Sequence, residues 1–391
     1  MAKGIEKDYY KLPEEEFSEM LQSVRNNPQT IHFYRNTDTP YFFLPDSKSA
    51  EYFLQLHKDC LEFERVFEGF SAFGRNQLIQ SFLIREIEAT NRIENINSTR
   101  HDIFGLIQNQ LNGKDKKIIS ILNGYLILLK EHTDPPADLQ GLRDLYDRLL
   151  KGTIDRDDRP DGTYFRRKPV FITNGLKRVH SGFFPEEAVN AGMQEFLDLM
   201  NDPGKDLFER LILSHFLIET VHPFYDGNGR FGRFLFTQKY FTETGSFLAL
   251  CVSTAFSGSK NSYYKALDEA RHEHMYGSLN AYAEDIADII HSFSQDLIKQ
   301  LKEKKNRIDS IAFSKEEFTR SEREIMKLLA EASLLSDFGI CNAEIMEYTG
   351  ISKRTVISSM QKFREMDLLE ETKFSKTVYH KLRSFKSADE D

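Results

Sequence analysis

Between positions 222 and 233 the chain reads His222-Pro223-Phe224-Tyr225-Asp226-Gly227-Asn228-Gly229-Arg230-Phe231-Gly232-Arg233, and most of its polar residues suit phosphate chemistry. His222 has the side chain whose pKa naturally suits proton removal near neutrality. Gly227 and Gly229 let the backbone turn tightly and approach a ligand. The helix that follows presents unpaired N–H groups and its positive dipole end to an anion. Arg230 and Arg233 are three apart and share one face of the first helical turn, where two guanidinium forks hold a polyphosphate. Asp226 supplies a hard oxygen ligand suited to Mg2+ bridging two phosphates. Together these groups describe phosphoryl or nucleotidyl transfer. Asp-Gly-Asn-Gly alone is ordinary turn chemistry; the joint pattern of nine specified residues is what sets this run apart.

The run must be held by what flanks it. The spacing predicts a strongly apolar helix from Leu207 to about Val221, preceded by a helix from Pro185 to Met200 with Glu186 and Glu187 in its first turn, while Phe234, Leu235 and Phe236 resume the pattern after the run. Upstream, helical spacing covers Asp46 to about Ile103, resumes at Ile118 after an Asn112–Asp115 turn, stops at Pro135-Pro136, and returns over Leu139–Leu150. Turn residues around Tyr164-Phe165 and Val170-Phe171-Ile172 predict a β-hairpin within Asp155–Gly175. Lys299–Arg307, with five cations in nine positions, reads as a solvated helix end or a linker. Beyond it, helices over Ser321–Glu331, Asn342–Tyr348 and Ser352–Met366 and a terminal strand at Thr377–His380 follow the order of a winged helix-turn-helix.

The expected fold class is therefore mainly α, with three parts: a helical N-terminal region (1–110), a helical core with a small β-hairpin (111–300) and a winged-helix domain (310–391). A length of 391 residues accommodates these parts. With 40% apolar and 29% charged residues the composition is that of a globular protein, and no apolar stretch reaches the length of a bilayer span. The charged opening Met1–Asp8 lacks the apolar core of a signal peptide, which predicts a cytoplasmic location without membrane association. Cys60, Cys251 and Cys341 are too scattered for a disulfide framework or a zinc site and are expected as small buried hydrophobes. A net charge of −9 argues against wholesale coating by nucleic acid.

The 222–233 run resembles, at every specified position, the signature of the Fic (filamentation induced by cAMP) family, HPFx(D/E)GNGRxxR. The resemblance covers roughly residues 110 to 300 and implies a protein adenylyltransferase using ATP and Mg2+. His222 would deprotonate a Ser, Thr or Tyr hydroxyl of a protein target, and Asp226 would hold Mg2+. Asn228 and the backbone of Gly227, Gly229 and Arg230 would form the anion hole, and Arg230 and Arg233 would bind the outer phosphates. The hairpin, here Gly162–Gly175 with Val170, Phe171 and Ile172, would be the flap that aligns the target by strand addition. Family members often carry an inhibitory (S/T)xxxE(G/N) helix, and Thr90-Asn91-Arg92-Ile93-Glu94-Asn95 fits its three specified positions, Thr90, Glu94 and Asn95. A Glu94 carboxylate paired with Arg233 would neutralise that guanidinium and occupy space needed by the γ-phosphate. Members often dimerise, so a homodimer is a candidate assembly, though no sequence stripe marks its interface.

Within Ser352–Lys386, nine Lys or Arg stand against four acids, and Lys353 and Arg354 open the helix where a winged helix would meet DNA. A winged helix serves equally as a protein-docking module. Two readings other than AMP transfer stay open at this point: an ATP-sensing, DNA-binding regulator, and removal of AMP from a modified target with Glu94 orienting a water.

Overall fold

The computed structural model describes residues 11–35, 40–108, 116–174, 177–311 and 317–383. Among these, helices dominate, and the strands form two hairpins and one three-stranded antiparallel sheet. The contacts divide the chain into two compact units, Met1–Cys60 with Glu86–Thr99 and Gly113–Phe293, and Leu61–Arg85 with Arg100–Asn112 and Ser294–Asp391.

The first unit is built on the helix Leu207–Val221, every residue of which is buried. Asp206 caps its start, accepting from the N–H groups of Phe208 (2.8 Å) and Glu209 (3.3 Å). Apolar residues on every face, with a polar cap, are what a central element requires. On either side pack the helices Glu186–Met200 and Asn228–Thr244. Gly232 permits the second approach, because a Cβ there would lie 2.9 Å from Ile218 Cγ2. The helix Asn228–Thr244 begins at Gly227 and ends at Gly245, both left-handed (φ 79° and 68°), a conformation glycine adopts without strain. The helices Lys116–Glu131 and Leu139–Leu149 complete this side of the core.

The helical stretch over Asp46–Ile103 holds three helices, Ser47–Glu68, Ala72–Ile93 and Arg100–Ile107. Two expectations need correction. The region before residue 110 also holds a hairpin, Ile31–Phe33 with Tyr41–Phe43, whose second strand is wholly buried. The flap hairpin pairs Phe171–Asn174 with Lys177–Ser181, and Tyr164-Phe165 takes no part. The carboxylate of Glu186 accepts from the backbone N–H groups of Tyr164 (3.1 Å) and Phe165 (3.4 Å), so those donors are unavailable to a strand partner. Gly175 and the Asn112–Asp115 turn lie outside the described residues.

The second unit collects Phe73, Ile325, Leu329, Ile345, Val356, Met360 and Phe363 into one core. Its helices Arg320–Leu335, Asn342–Thr349 and Lys353–Glu365 precede a hairpin, Leu369–Phe374 with Thr377–Leu382, and Ile340-Cys341 pairs with the second of these strands. Thr319 and Glu322 form a reciprocal capping box, and Gly350 closes the middle helix in the left-handed region. The cationic segment Lys299–Arg307 lies inside the helix Asn280–Ser310. All three cysteines are buried, and none is joined in a disulfide. Among the described residues no helix is long and apolar enough to cross a membrane.

Candidate active site

The helix Leu207–Val221 stops at His222, which takes the left-handed conformation (φ 53°, ψ 64°). Pro223 follows and cannot continue a helix. The carbonyl of His222 accepts a 2.8 Å hydrogen bond from Arg166 Nε. Arg166 is fully buried and also donates to the carbonyls of Lys168 (2.8 Å), Phe183 (2.7 Å) and Val221 (3.3 Å). Burial lowers its pKa to about 10, so the guanidinium stays charged at neutral pH. Gly182 makes room for this clamp, since a Cβ there would stand 2.4 Å from Arg166 Nη2 and 3.1 Å from His222 Cβ.

The His222 imidazole is pushed down to about 4, first by burial and then by the charges of Arg271 and Arg166, with Glu94 and a weak bond to the Glu219 carbonyl acting the other way. It is therefore neutral near pH 7 and holds a free lone pair. That is the state a proton acceptor needs.

Asn228 is buried and used twice within the loop, accepting from Phe224 N–H and donating to the Phe224 carbonyl, both at 2.9 Å. Its side chain thus sets the shape of the loop. Tyr146 supports the same turn by stacking on Phe224 (ring centroids 3.5 Å apart) and donating to the Asp226 carbonyl at 2.8 Å. Gly227 is obligatory for conformation and for space, a Cβ there meeting Leu150 Cδ1 at 2.4 Å. The Asp226 carboxylate is half exposed, accepts from Gly227 N–H (2.6 Å) and lies 3.3 Å from Arg230 Nη2.

Arg233 is 1% exposed and held on one side: Nε donates to Thr90 Oγ1 (3.0 Å), and Nη2 to the Thr90 carbonyl (3.1 Å) and to Glu94 Oε1 (2.7 Å). Burial pushes the Glu94 carboxyl up, but the charge and hydrogen bond of Arg233, with Arg230 and His222 beyond, hold it below the usual carboxylate range. The same carboxylate raises the pKa of Arg233 against its own burial. Glu94 Oε1 would lie 2.1 Å from a Cβ on Gly229. The carboxylate therefore stands at the first turn of the helix Asn228–Thr244, where an anion would sit.

Glu94 follows the last residue of the helix Ala72–Ile93, and Asn95 turns the chain in the left-handed region (φ 56°). Lys260 Nζ donates to the carbonyl of Ile93 (3.0 Å) and to Asn95 Oδ1 (3.3 Å), and Tyr264 Oη donates to the Ile93 carbonyl (3.3 Å). A cation on the terminal carbonyls satisfies groups the helix leaves open and complements its dipole.

The structure thus brings His222, Asp226, Gly227, Asn228, Gly229, Arg230, Arg233, Thr90, Glu94 and Asn95 into one constellation. On the flap, Val170 accepts from Gly182 N–H (3.1 Å) and the Phe171 ring is half exposed, while the side chain of Ile172 lies outside the described residues. Lys353 and Arg354 are exposed in the first turn of their helix in the second unit. Sequence reasoning missed Arg166, Gly182, Lys260 and Tyr264. Arg166 sits beside Arg167 and Lys168 in the sequence, and nothing local separates the buried clamp from its solvated neighbours.

The Fic/DOC family matches residues 136–238. This segment is a Fic domain. The fold is similar to that of a Fic family protein from Desulfovibrio desulfuricans, with a TM-score of 0.52 and 17% identity over 84% of this chain and 96% of that one. It is also similar to Fic-1 from C. elegans, with a TM-score of 0.50 and 17% identity over 76% of this chain and 81% of that one. At such identities the likeness concerns the fold. No curated protein matches the chain. Fic-domain proteins in general transfer nucleoside monophosphates to proteins, and a transferase acting on proteins is the class this Fic domain implies.

Proposed function

We propose that this chain is a restrained adenylyltransferase, moving AMP from ATP to a hydroxyl of a protein, itself included. The observation that carries the reading is the Glu94–Arg233 pair on an otherwise complete Fic loop. His222, neutral and held by Arg166, takes the proton of the target hydroxyl, whose oxygen attacks the α-phosphorus in line as pyrophosphate leaves. The N–H groups at the start of the helix Asn228–Thr244 receive phosphate oxygens, and Arg230 and Arg233 hold the outer phosphates.

Asp226 suits Mg2+: it is one half-exposed carboxylate beside the turn, and Mg2+ commonly takes one or two carboxylates and completes its shell with phosphates and water. When bound there, the ion would neutralise phosphate charge. The flap strand Phe171–Asn174 would receive the target segment by strand addition.

With Glu94 in place, Arg233 is already neutralised and the first helical turn already holds an anion. ATP then binds without presenting its α-phosphate for attack. Incubation of Glu94→Gly protein with ATP and Mg2+, read by intact mass, tests this: a covalent AMP adduct that vanishes in Glu94→Gly/His222→Ala supports transfer, and no adduct in either favours a nucleotide sensor.

A second activity is favoured by Lys353 and Arg354, which stand exposed in the first turn of the helix Lys353–Glu365. Contact with DNA phosphates there predicts salt-dependent binding of duplex DNA in fluorescence anisotropy. Absence of binding at low salt excludes it.

A further inference from the structure

Away from the loop, a cavity of about 580 Å³ opens between the helices Lys116–Glu131, Leu139–Leu149 and Asn228–Thr244. Most of its wall is apolar, through Ile119, Ile127, Leu145, Leu149 and Phe234, with Ser120, Asn123, Thr133 and Gln238 between them. A second cavity of about 630 Å³ adjoins it, and the two share Arg148, Lys151, Gly152 and Arg159. These three cations are exposed, and none has a hydrogen bond or ion pair among the described residues. Arg143, which lines only the second cavity, is by contrast occupied by Asp147 (2.8 Å) and by the Tyr164 carbonyl (3.1 Å).

An apolar chamber of this size is in the range of small-molecule sites, and its wall favours an apolar body. Three uncompensated cations at one edge favour an anionic end, and two of them are guanidiniums suited to carboxylate, sulfonate or phosphate oxygens. We infer that this paired cavity is a binding site for a small amphipathic anion, its apolar body against Leu145, Leu149 and Phe234 and its acidic group at Arg148, Lys151 and Arg159.

The site is placed to influence the catalytic loop. Tyr146 lines the second cavity and bonds the Asp226 carbonyl, and Leu150 and Ile154 line it while standing against Gly227. An occupant would thus press on residues that hold the loop in shape.

Anilinonaphthalene sulfonate is a suitable probe, titrated into the folded full-length chain by fluorescence and calorimetry. One saturable site is expected, displaced by decanoate and indifferent to ATP. Arg148→Glu/Lys151→Glu should weaken it at least about tenfold by removing the charge complement. Ser120→Trp, which narrows the apolar chamber, should weaken it as well, with both variants unfolding at the parent's temperature. Unchanged affinity in both variants, or displacement by ATP and not by decanoate, would overturn the assignment.

Discussion

Glu94 Oε1 and Arg233 Nη2 lie 2.7 Å apart, and Thr90 holds the same side of that guanidinium, its carbonyl on Nη2 and its hydroxyl on Nε. One residue of the loop is thereby held by three acceptors from a single helix end. The pair is partly buried, so breaking it from either side has unequal consequences. Removing Glu94 frees a guanidinium for phosphate, whereas removing Arg233 leaves a carboxylate against Gly229.

That asymmetry gives the first prediction. Glu94→Gly should raise AMP transfer at least about tenfold, since a shift of about 1.4 kcal/mol between unproductive and productive ATP suffices. Arg233→Ala should abolish transfer even when combined with Glu94→Gly. Initial rates with ATP labelled on its α-phosphate provide the check, and equal rates for parent and Glu94→Gly would contradict the restraint.

The helix end that carries Glu94 has its own support. Lys260→Met should leave the Ile93 carbonyl and Asn95 without their cation and so loosen the glutamate. Partial activation is expected, smaller than in Glu94→Gly, and no further gain when the two substitutions are combined. Additive activation in the double variant would show that Lys260 acts by another route.

The clamp on His222 predicts a separation of kinetic constants. Arg166→Lys keeps a charge but loses the planar fork that reaches four carbonyls. In the Glu94→Gly background kcat should fall about tenfold or more, with the KM for ATP little changed. Arg166→Met should destabilise the fold by about 3 kcal/mol or more, because several buried carbonyls lose their donor. A larger effect on KM than on kcat would place Arg166 in nucleotide binding instead.

Titration offers a further check. With its pKa near 4, His222 is already neutral above about pH 5, so activity of Glu94→Gly should stay flat down to that point. Glu94 is one of the charges that raises this pKa, so its removal moves the acid limb lower still. An acid limb centred on the ordinary value of 6.5 would contradict the burial argument.

Stability should report a second buried group. Burial raises the Glu219 carboxyl from 4.5 to about 7, partly offset by Arg233. The folded chain then holds a proton that the unfolded chain has lost across that interval, so the contribution to stability is full below 4.5 and lost as pH rises through 7. Glu219→Gln removes this dependence. Urea unfolding of both proteins at several pH values should show the parent losing ground to the variant as pH rises across this window. Parallel curves would place the Glu219 titration elsewhere.

The loop was legible in the sequence because its chemistry is contiguous: His222, Asp226, the two glycines and the two arginines fall within twelve positions and specify their own turn and helix start. The helix Leu207–Val221 was legible for a related reason, since Leu211, Ile212, Leu213, Phe216, Leu217 and Ile218 put apolar side chains on every face between Asp206 and Pro223, which marks a buried helix. The contacts that hold the loop were not. Arg166, Gly182 and Lys260 act through backbone carbonyls and close approaches, which leave no periodic trace. Tyr164-Phe165 looked like a strand because its residues favour one, and a carboxylate 22 positions away decided otherwise. Periodicity also identified Leu61–Arg85 as helical without indicating that these residues join the C-terminal unit, because an apolar stripe does not specify the core it meets.

The most direct test of restraint by Glu94 is intact mass spectrometry of the full chain after incubation with ATP and Mg2+, comparing parent, Glu94→Gly and Glu94→Gly/His222→Ala. The account predicts a mass gain of one or more AMP groups in Glu94→Gly, little or none in the parent, and none in the double variant. An unmodified Glu94→Gly protein that also labels no partner in a cell lysate, or equal labelling in the presence and absence of His222, would contradict it.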